Sequence, residues 1–326
     1  MQDTYRREVN YLRVSVTDRC NLRCVYCMPA EGVASVDHDE VLSFEEIITV
    51  IRAAASLGVK KVRLTGGEPL VRRGITSLVR QISSVSGIDD IALTTNGLLL
   101  SPLVEGLKEA GLKRVNISLD TLRAGRYREM TRVGDLDGAW AGIRAALEAG
   151  LGPVKLNTVV IRGFNDDEVT ALARLTLNLP LHLRFIELMP IGPTGQWAGG
   201  KFVPAGEIAG AVSARLGPLE PAKEPPGGGP AKYYRLKDAA GTIGFITSMS
   251  DHFCGQCNRL RLTSGGGLRP CLYDRQEIDL KTPLRGGAGI KEIARLMEDA
   301  VVMKPDRHHL ARGWQDKNRA MSQIGG

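Results

Sequence analysis

The stretch Val59-Lys60-Lys61-Val62-Arg63-Leu64-Thr65, followed at once by Gly66-Gly67-Glu68-Pro69, decides the fold. Its β-rich run ends in paired glycines, which reads as a strand running into a tight loop. Similar runs recur at Tyr11–Thr17, Asp90–Thr95, Arg114–Leu119, Val154–Val160 and His182–Glu187. Helical patterns separate them. Ser43-Phe44-Glu45-Glu46 is a capping box that opens one helix, and another runs from Trp140 to Ala149 and stops at Gly150. Strand–helix units in succession imply parallel strands joined by right-handed crossovers. The expectation is an α/β fold: an incomplete (β/α)6 TIM-like barrel over residues 1–217, with a smaller C-terminal region closing its cavity.

The same stretch carries a second signal. A parallel strand covered on both faces should be almost wholly apolar, yet Lys61, Arg63 and Thr65 share one face here. Arg13, Ser15 and Thr17 do so in the first strand, Lys155 and Asn157 in the fifth, and Arg184 stands in the sixth. Two readings are open: half-exposed edge strands, or a barrel whose polar interior holds a polyanion. Strand ends add to the second, since barrel sites form at the C-terminal ends of strands. Gly66-Gly67-Glu68-Pro69, Thr94-Thr95-Asn96-Gly97, Ser118-Leu119-Asp120 and Glu187-Leu188-Met189-Pro190 all fall there.

Beyond the barrel, residues 218–230 are rich in Pro and Gly and read as a linker or exposed loop. Residues 231–326 hold short β-like runs at Tyr233–Leu236 and Gly241–Thr247, a helix from Ile290 to Met303 and a polar tail ending in Gly325-Gly326. At 326 residues and 43% hydrophobic, the chain is too large and too apolar for a miniprotein or a disordered regulator. No run is long and apolar enough for a membrane span, and the start Met1 to Glu8 lacks the apolar core of a secretory signal. A cytoplasmic protein is expected. Its formal net charge of +7 favours an anionic partner of unspecified kind.

The cysteines form two tight groups of three, which argues against a disulfide framework. Cys20, Cys24 and Cys27 give C-x3-C-x2-C; Cys254, Cys257 and Cys271 give C-x2-C-x13-C. Three thiolates can hold three irons of a cubane and leave the fourth open. Zinc completed by His38 or His252 is the plainer alternative.

With an aromatic just before its third cysteine and Gly66-Gly67-Glu68-Pro69 after the second strand, the first group resembles the radical S-adenosylmethionine superfamily. The second group, running into Cys257-Asn258-Arg259-Leu260-Arg261, and the terminal glycines resemble one family within it, the GTP 3′,8-cyclases of molybdenum cofactor biosynthesis. That resemblance implies two 4Fe-4S clusters, one on Cys20, Cys24 and Cys27 and one on Cys254, Cys257 and Cys271. It places Tyr26, Gly66, Gly67, Glu68, Ser118 and Met189 around S-adenosylmethionine. Arg13, Lys61, Arg63, Thr94, Lys155, Arg184, Arg259, Leu260 and Arg261 would bind GTP, and Gly325 and Gly326 would take part in catalysis. An unidentified electron donor, a downstream enzyme accepting the cyclic product and a homodimer are implied; nucleic acid and membrane are not. Rival readings are a radical tRNA-modifying enzyme and a zinc-stabilised nucleic-acid-binding module. Basic residues on strand faces, without interleaved aromatics on a surface, speak against both.

Overall fold

In a computed structural model, residues 1–33, 37–192, 198, 200–274, 276–308 and 319–324 are described. The six expected strands are present as β1 (Tyr11–Ser15), β2 (Lys61–Thr65), β3 (Asp90–Thr95), β4 (Arg114–Ser118), β5 (Val154–Val160) and β6 (Leu181–Glu187). They lie side by side in chain order, each parallel to the next. Between and after them run helices α1 (Phe44–Ser56), α2 (Ile75–Ser83), α3 (Val104–Glu109), α4 (Ala124–Thr131), α5 (Leu136–Glu148), α6 (Val169–Asn178) and α7 (Ala205–Leu216). Val62, Leu64, Ile117, Leu156 and Leu183 are fully buried on the strands' outward face, where the helices supply the other half of the core.

Local chemistry sets the helix ends. Ser43 Oγ accepts from the Glu46 N–H at 3.2 Å while Glu46 Oε2 accepts from the Ser43 N–H at 2.7 Å, the reciprocal box expected from sequence. The helix expected from Trp140 begins earlier, at Leu136, because the Asp135 carboxylate accepts from the Gly138 N–H at 3.2 Å and caps it there.

The remaining strands are β7 (Glu220–Pro221), β8 (Lys232–Arg235), β9 (Thr242–Ile246), β10 (Arg259–Leu262), β11 (Gly267–Arg269) and β12 (Ile278–Asp279), followed by α8 (Lys281–Arg285) and α9 (Ile290–Val302). β9 joins β6 in parallel and β10 joins β1 in parallel, so the chain after residue 230 extends both edges of the one sheet. The order β12-β11-β10-β1-β2-β3-β4-β5-β6-β9-β8-β7 leaves β12 and β7 at its two ends. The barrel is open, as the missing units imply. Residues 218–230 include β7, and the carbonyls of Pro226 and Gly227 accept hydrogen bonds from Lys155 and Arg114 at the barrel end.

Candidate active site

One cavity of about 340 Å³ is lined by all six cysteines. Strand register places the two triads apart. Cys20 follows the C-terminal end of β1, whereas Cys257 precedes β10, whose Arg259 stands opposite Tyr11 at the other end of β1. Between them the inward faces of the strands supply Arg13, Arg63, Thr94, Asn157, Arg184 and Arg261.

At the first triad, burial pushes the Cys24 thiol well up, and burial with the neighbouring Cys20 charge pushes Cys27 up to about 12. Such thiols stay protonated in water and release their protons only when a strongly bound cation takes their place on sulfur. Among the described residues no three His, Cys, Asp or Glu side chains surround a single-ion position. The thiols of each triad nonetheless feel one another's charge, and each triad faces shared open space. That donor set fits a group larger than one ion, as a cubane is.

The loop after β2 is shaped to lie against this triad. A Cβ on Gly66 would fall 2.4 Å from the Thr17 carbonyl oxygen and one on Gly67 2.3 Å from that of Arg19. Without them, Gly67 N–H and Glu68 N–H each bond the cysteine loop's backbone, to Thr17 O and Arg19 O, at 2.8 Å. Glu68 lines the cavity, but its carboxylate is occupied by Leu70 N–H, Thr95 Oγ1 and Asn96 N–H at 2.7–3.0 Å, so it ties β2 to β3. Burial raises its pKa to about 7. Tyr26 donates to Asp120 Oδ2 at 2.7 Å, and Asp120, raised to about 6 by burial, also accepts from Val159 N–H. Ser118 and Met189 line the same space.

Around the second triad the charge is opposite. Burial alone would raise Cys257, but Arg259 and Lys304 pull its thiol down to about 6. Lys304 was not visible as a site residue, since it reaches the triad only through the fold. Arg7, likewise, donates to the Cys254 carbonyl at 2.8 Å.

The arginines form a channel that wants an anion. Burial and then the charges of Arg261 and Arg63 push Arg13 well below its usual range, and burial brings both Arg63 and Arg261 down to about 10. Tyr11 Oη, Arg13 Nε, Arg63 Nε, Thr94 Oγ1, Asn157 Oδ1 and Arg184 Nε are buried with no hydrogen-bond partner among the described residues. Buried polar groups are normally satisfied, so this set fits a polar, polyanionic ligand.

Three expected GTP residues stand elsewhere. Leu260 faces the apolar core, fully buried, because alternation on β10 sends it opposite to Arg259 and Arg261. Lys61 is the first residue of β2 and Lys155 the second of β5, and neither lines the cavity; Lys155 Nζ donates to Pro226 O at 2.8 Å. Gly325 and Gly326 lie outside the described residues, while Met321 and Ser322 just before them line the cavity.

Residues 14–176 match the Radical SAM superfamily, and residues 181–310 match Molybdenum Cofactor Synthesis C. The chain is 71% identical to a GTP 3′,8-cyclase of Pelotomaculum thermopropionicum, 57% to one of Moorella thermoacetica and 44% to one of Petrotoga mobilis, covering the whole of both chains in each case. Among solved structures it resembles Streptococcus suis SuiB bound to its precursor peptide SuiA, with a TM-score of 0.63 at 14% identity over 97% of this chain and 76% of that one. SuiB bound to S-adenosylmethionine gives 0.60 at 16% identity, over 83% of this chain and 63% of that one. These two likenesses speak for the fold alone.

Proposed function

The chain belongs to the GTP 3′,8-cyclases, radical S-adenosylmethionine enzymes of molybdenum cofactor synthesis, and we propose that it works through two 4Fe-4S clusters held at a shared cavity. Its reaction converts GTP to (8S)-3′,8-cyclo-7,8-dihydroguanosine 5′-triphosphate. The observation that carries the two-cluster reading is the lining of that cavity by both cysteine triads with the arginine channel between them.

Cys20, Cys24 and Cys27 would hold the first cluster, which supplies the electron for reductive cleavage of S-adenosylmethionine. Tyr26, oriented by Asp120, and the Gly66-Gly67 backbone form the wall beside it, with Ser118 and Met189 across. Cys254, Cys257 and Cys271 would hold the second cluster, which would supply a Lewis-acidic position for the guanine. Arg259 and Arg261 then grip the nucleotide near that cluster, and Arg13, Arg63 and Arg184 bind its phosphates as bidentate cations. Fixing both substrates in one enclosed channel aligns ribose C3′ with guanine C8 and keeps water from the reactive carbon.

The enzyme acts in the cytoplasm as a homodimer on this reading, takes electrons from a separate donor and hands its product to the next enzyme. No helix among the described residues is long and apolar enough to cross a membrane. Anaerobic reconstitution tests the core of the reading. About eight irons per chain are expected on a two-cubane count, with cyclic product formed from GTP and S-adenosylmethionine; about four irons at full activity would refute the second cluster.

A further inference from the structure

The segment Pro225-Pro226-Gly227-Gly228-Gly229-Pro230 crosses the N-terminal ends of the central strands. There it meets three cations at the starts of those strands: Lys61 of β2, Arg114 of β4 and Lys155 of β5. Lys155 Nζ donates to the Pro226 carbonyl at 2.8 Å, and Arg114, itself paired with Asp90, donates to the Gly227 carbonyl at 3.3 Å. A Cβ on Gly227 would fall 2.3 Å from Arg114 Cζ, and one on Gly228 3.2 Å from Lys61 Nζ. All three glycines have positive φ, at +108°, +64° and +153°. Only glycine adopts such a run at little cost. Gly229 and Pro230 in turn line the cavity, so the strap is the end wall of the arginine channel.

Its chemistry is as telling as its place. These six residues carry no charged side chain, so the strap itself offers Lys155 and Arg114 only backbone carbonyls. Arg114 is paired with Asp90, and burial with the neighbouring arginines lowers the Lys155 pKa to about 6, so an anion arriving there draws a proton onto Lys155, whereas a carboxylate in the strap would compete with it. We propose that this glycine strap is the floor of the polyphosphate site and sets its length, so that the enzyme selects a guanosine triphosphate over a diphosphate. The inference rests on GTP lying with its phosphates along the arginine channel. A triphosphate reaches the strap-held cations, a diphosphate stops short of them, and a tetraphosphate runs into the backbone. Lys61 and Lys155, at the strand starts just beyond the cavity lining, are thereby within reach of the terminal phosphate.

Calorimetric dissociation constants of GTP, GDP and guanosine 5′-tetraphosphate on the reconstituted holoenzyme test this. Wild type should prefer GTP to each of the others by about tenfold or more, the scale of one charge-assisted contact. Gly228→Ala, which pushes on the end of a flexible lysine, and deletion of Gly228 with Gly229 should each shrink the GTP:GDP ratio about fivefold or more. Affinity for GDP should stay unchanged in both. An unaltered ratio in the folded Gly228→Ala enzyme would overturn the strap, as would a wild type that binds GDP as well as GTP. Arg63→Ala separates the two claims: GTP bound at wild-type strength there would refute the channel reading itself.

Discussion

The Lys304 ammonium lies 3.5 Å from the Cys257 sulfur while donating to the carbonyls of Arg259 at 2.9 Å and Pro270 at 2.7 Å. One side chain just beyond α9 thus ties the loop that carries Cys257 to the loop that carries Cys271. Arg7 closes the same assembly from the N-terminal arm, bonding the carbonyls of Cys254, Pro305 and Asp306 at 2.6–3.0 Å. Hydrogen bonds from charged donors contribute about 1.5–3 kcal/mol each when partly buried. These cations brace the loops of the second triad, and Lys304 with Arg259 favours the thiolate of Cys257.

Removing one of those cations should be visible in the thiol's reactivity. In cluster-free protein at pH 7, Cys257 with its pKa of about 6 is mainly thiolate, while Cys27 at about 12 is thiol. Iodoacetamide followed by peptide mapping should modify Cys257 well before Cys27. Lys304→Met should slow Cys257 alkylation at pH 7 and shift its pH profile upward, because the thiolate loses a nearby positive charge. An unchanged profile would show that Lys304 holds the loops without acting on the sulfur.

The triads should also separate functionally. Cys24→Ser should abolish reductive cleavage of S-adenosylmethionine, since the ligand set of the first cluster is broken. Cys257→Ser should keep that cluster and permit slow, uncoupled cleavage while losing the cyclic product. Methionine and cyclised nucleotide, measured in the same reaction, give both readouts. Near-normal cyclisation by Cys257→Ser would make the second triad structural.

How much of this was legible in the sequence follows from which contacts are local. Arg13, Arg63 and Arg184 could be read because a period of two puts each on the polar face of its own strand, and the channel confirms that face. The same rule sends the Leu260 side chain outward into the apolar core, opposite to Arg259 and Arg261. Lys61 and Lys155 share the inward face, but they sit at strand starts, below the cavity. Lys304 and Arg7 reach the cysteines across 47 and 247 residues of chain, a proximity no local pattern encodes. The strap was read as linker because its contacts are made by carbonyls, which every residue possesses.

Lys155 should make nucleotide binding depend on pH. Burial first, then the charges of Arg184, Arg114 and Arg63, lower its pKa from 10.5 to about 6. The folded, ligand-free protein thus binds fewer protons than the unfolded chain between those values, and this group's contribution to stability rises with pH across that window. Phosphates beside it reverse the shift. At pH 8 GTP binding should take up a proton, seen as a binding enthalpy that varies with the buffer's ionisation enthalpy. Uptake should disappear in Lys155→Met and fade below pH 6, where the amine is already charged. Buffer-independent enthalpy in the wild type at pH 8 would place the phosphates away from Lys155.

The last prediction concerns the tail. A polar terminus ending in two glycines is ordinarily free, but the described part of this one is packed inward. Ile324 is fully buried with Ile191 and Tyr273, Met321 and Ser322 line the cavity, and the Ser322 N–H bonds the Cys27 sulfur. Gly192 gives the tail room: a Cβ there would fall 2.7 Å from the Arg319 carbonyl oxygen. Glycine, having no Cβ, can approach a ligand by its backbone alone. Deleting Gly325 and Gly326 should preserve folding, iron content and most GTP affinity, yet lower product formation by orders of magnitude. A synthetic peptide matching the last residues should restore part of the activity, because the lost piece acts by occupying space in the cavity. Normal turnover by the truncated enzyme would show that the tail's role ends at Ile324.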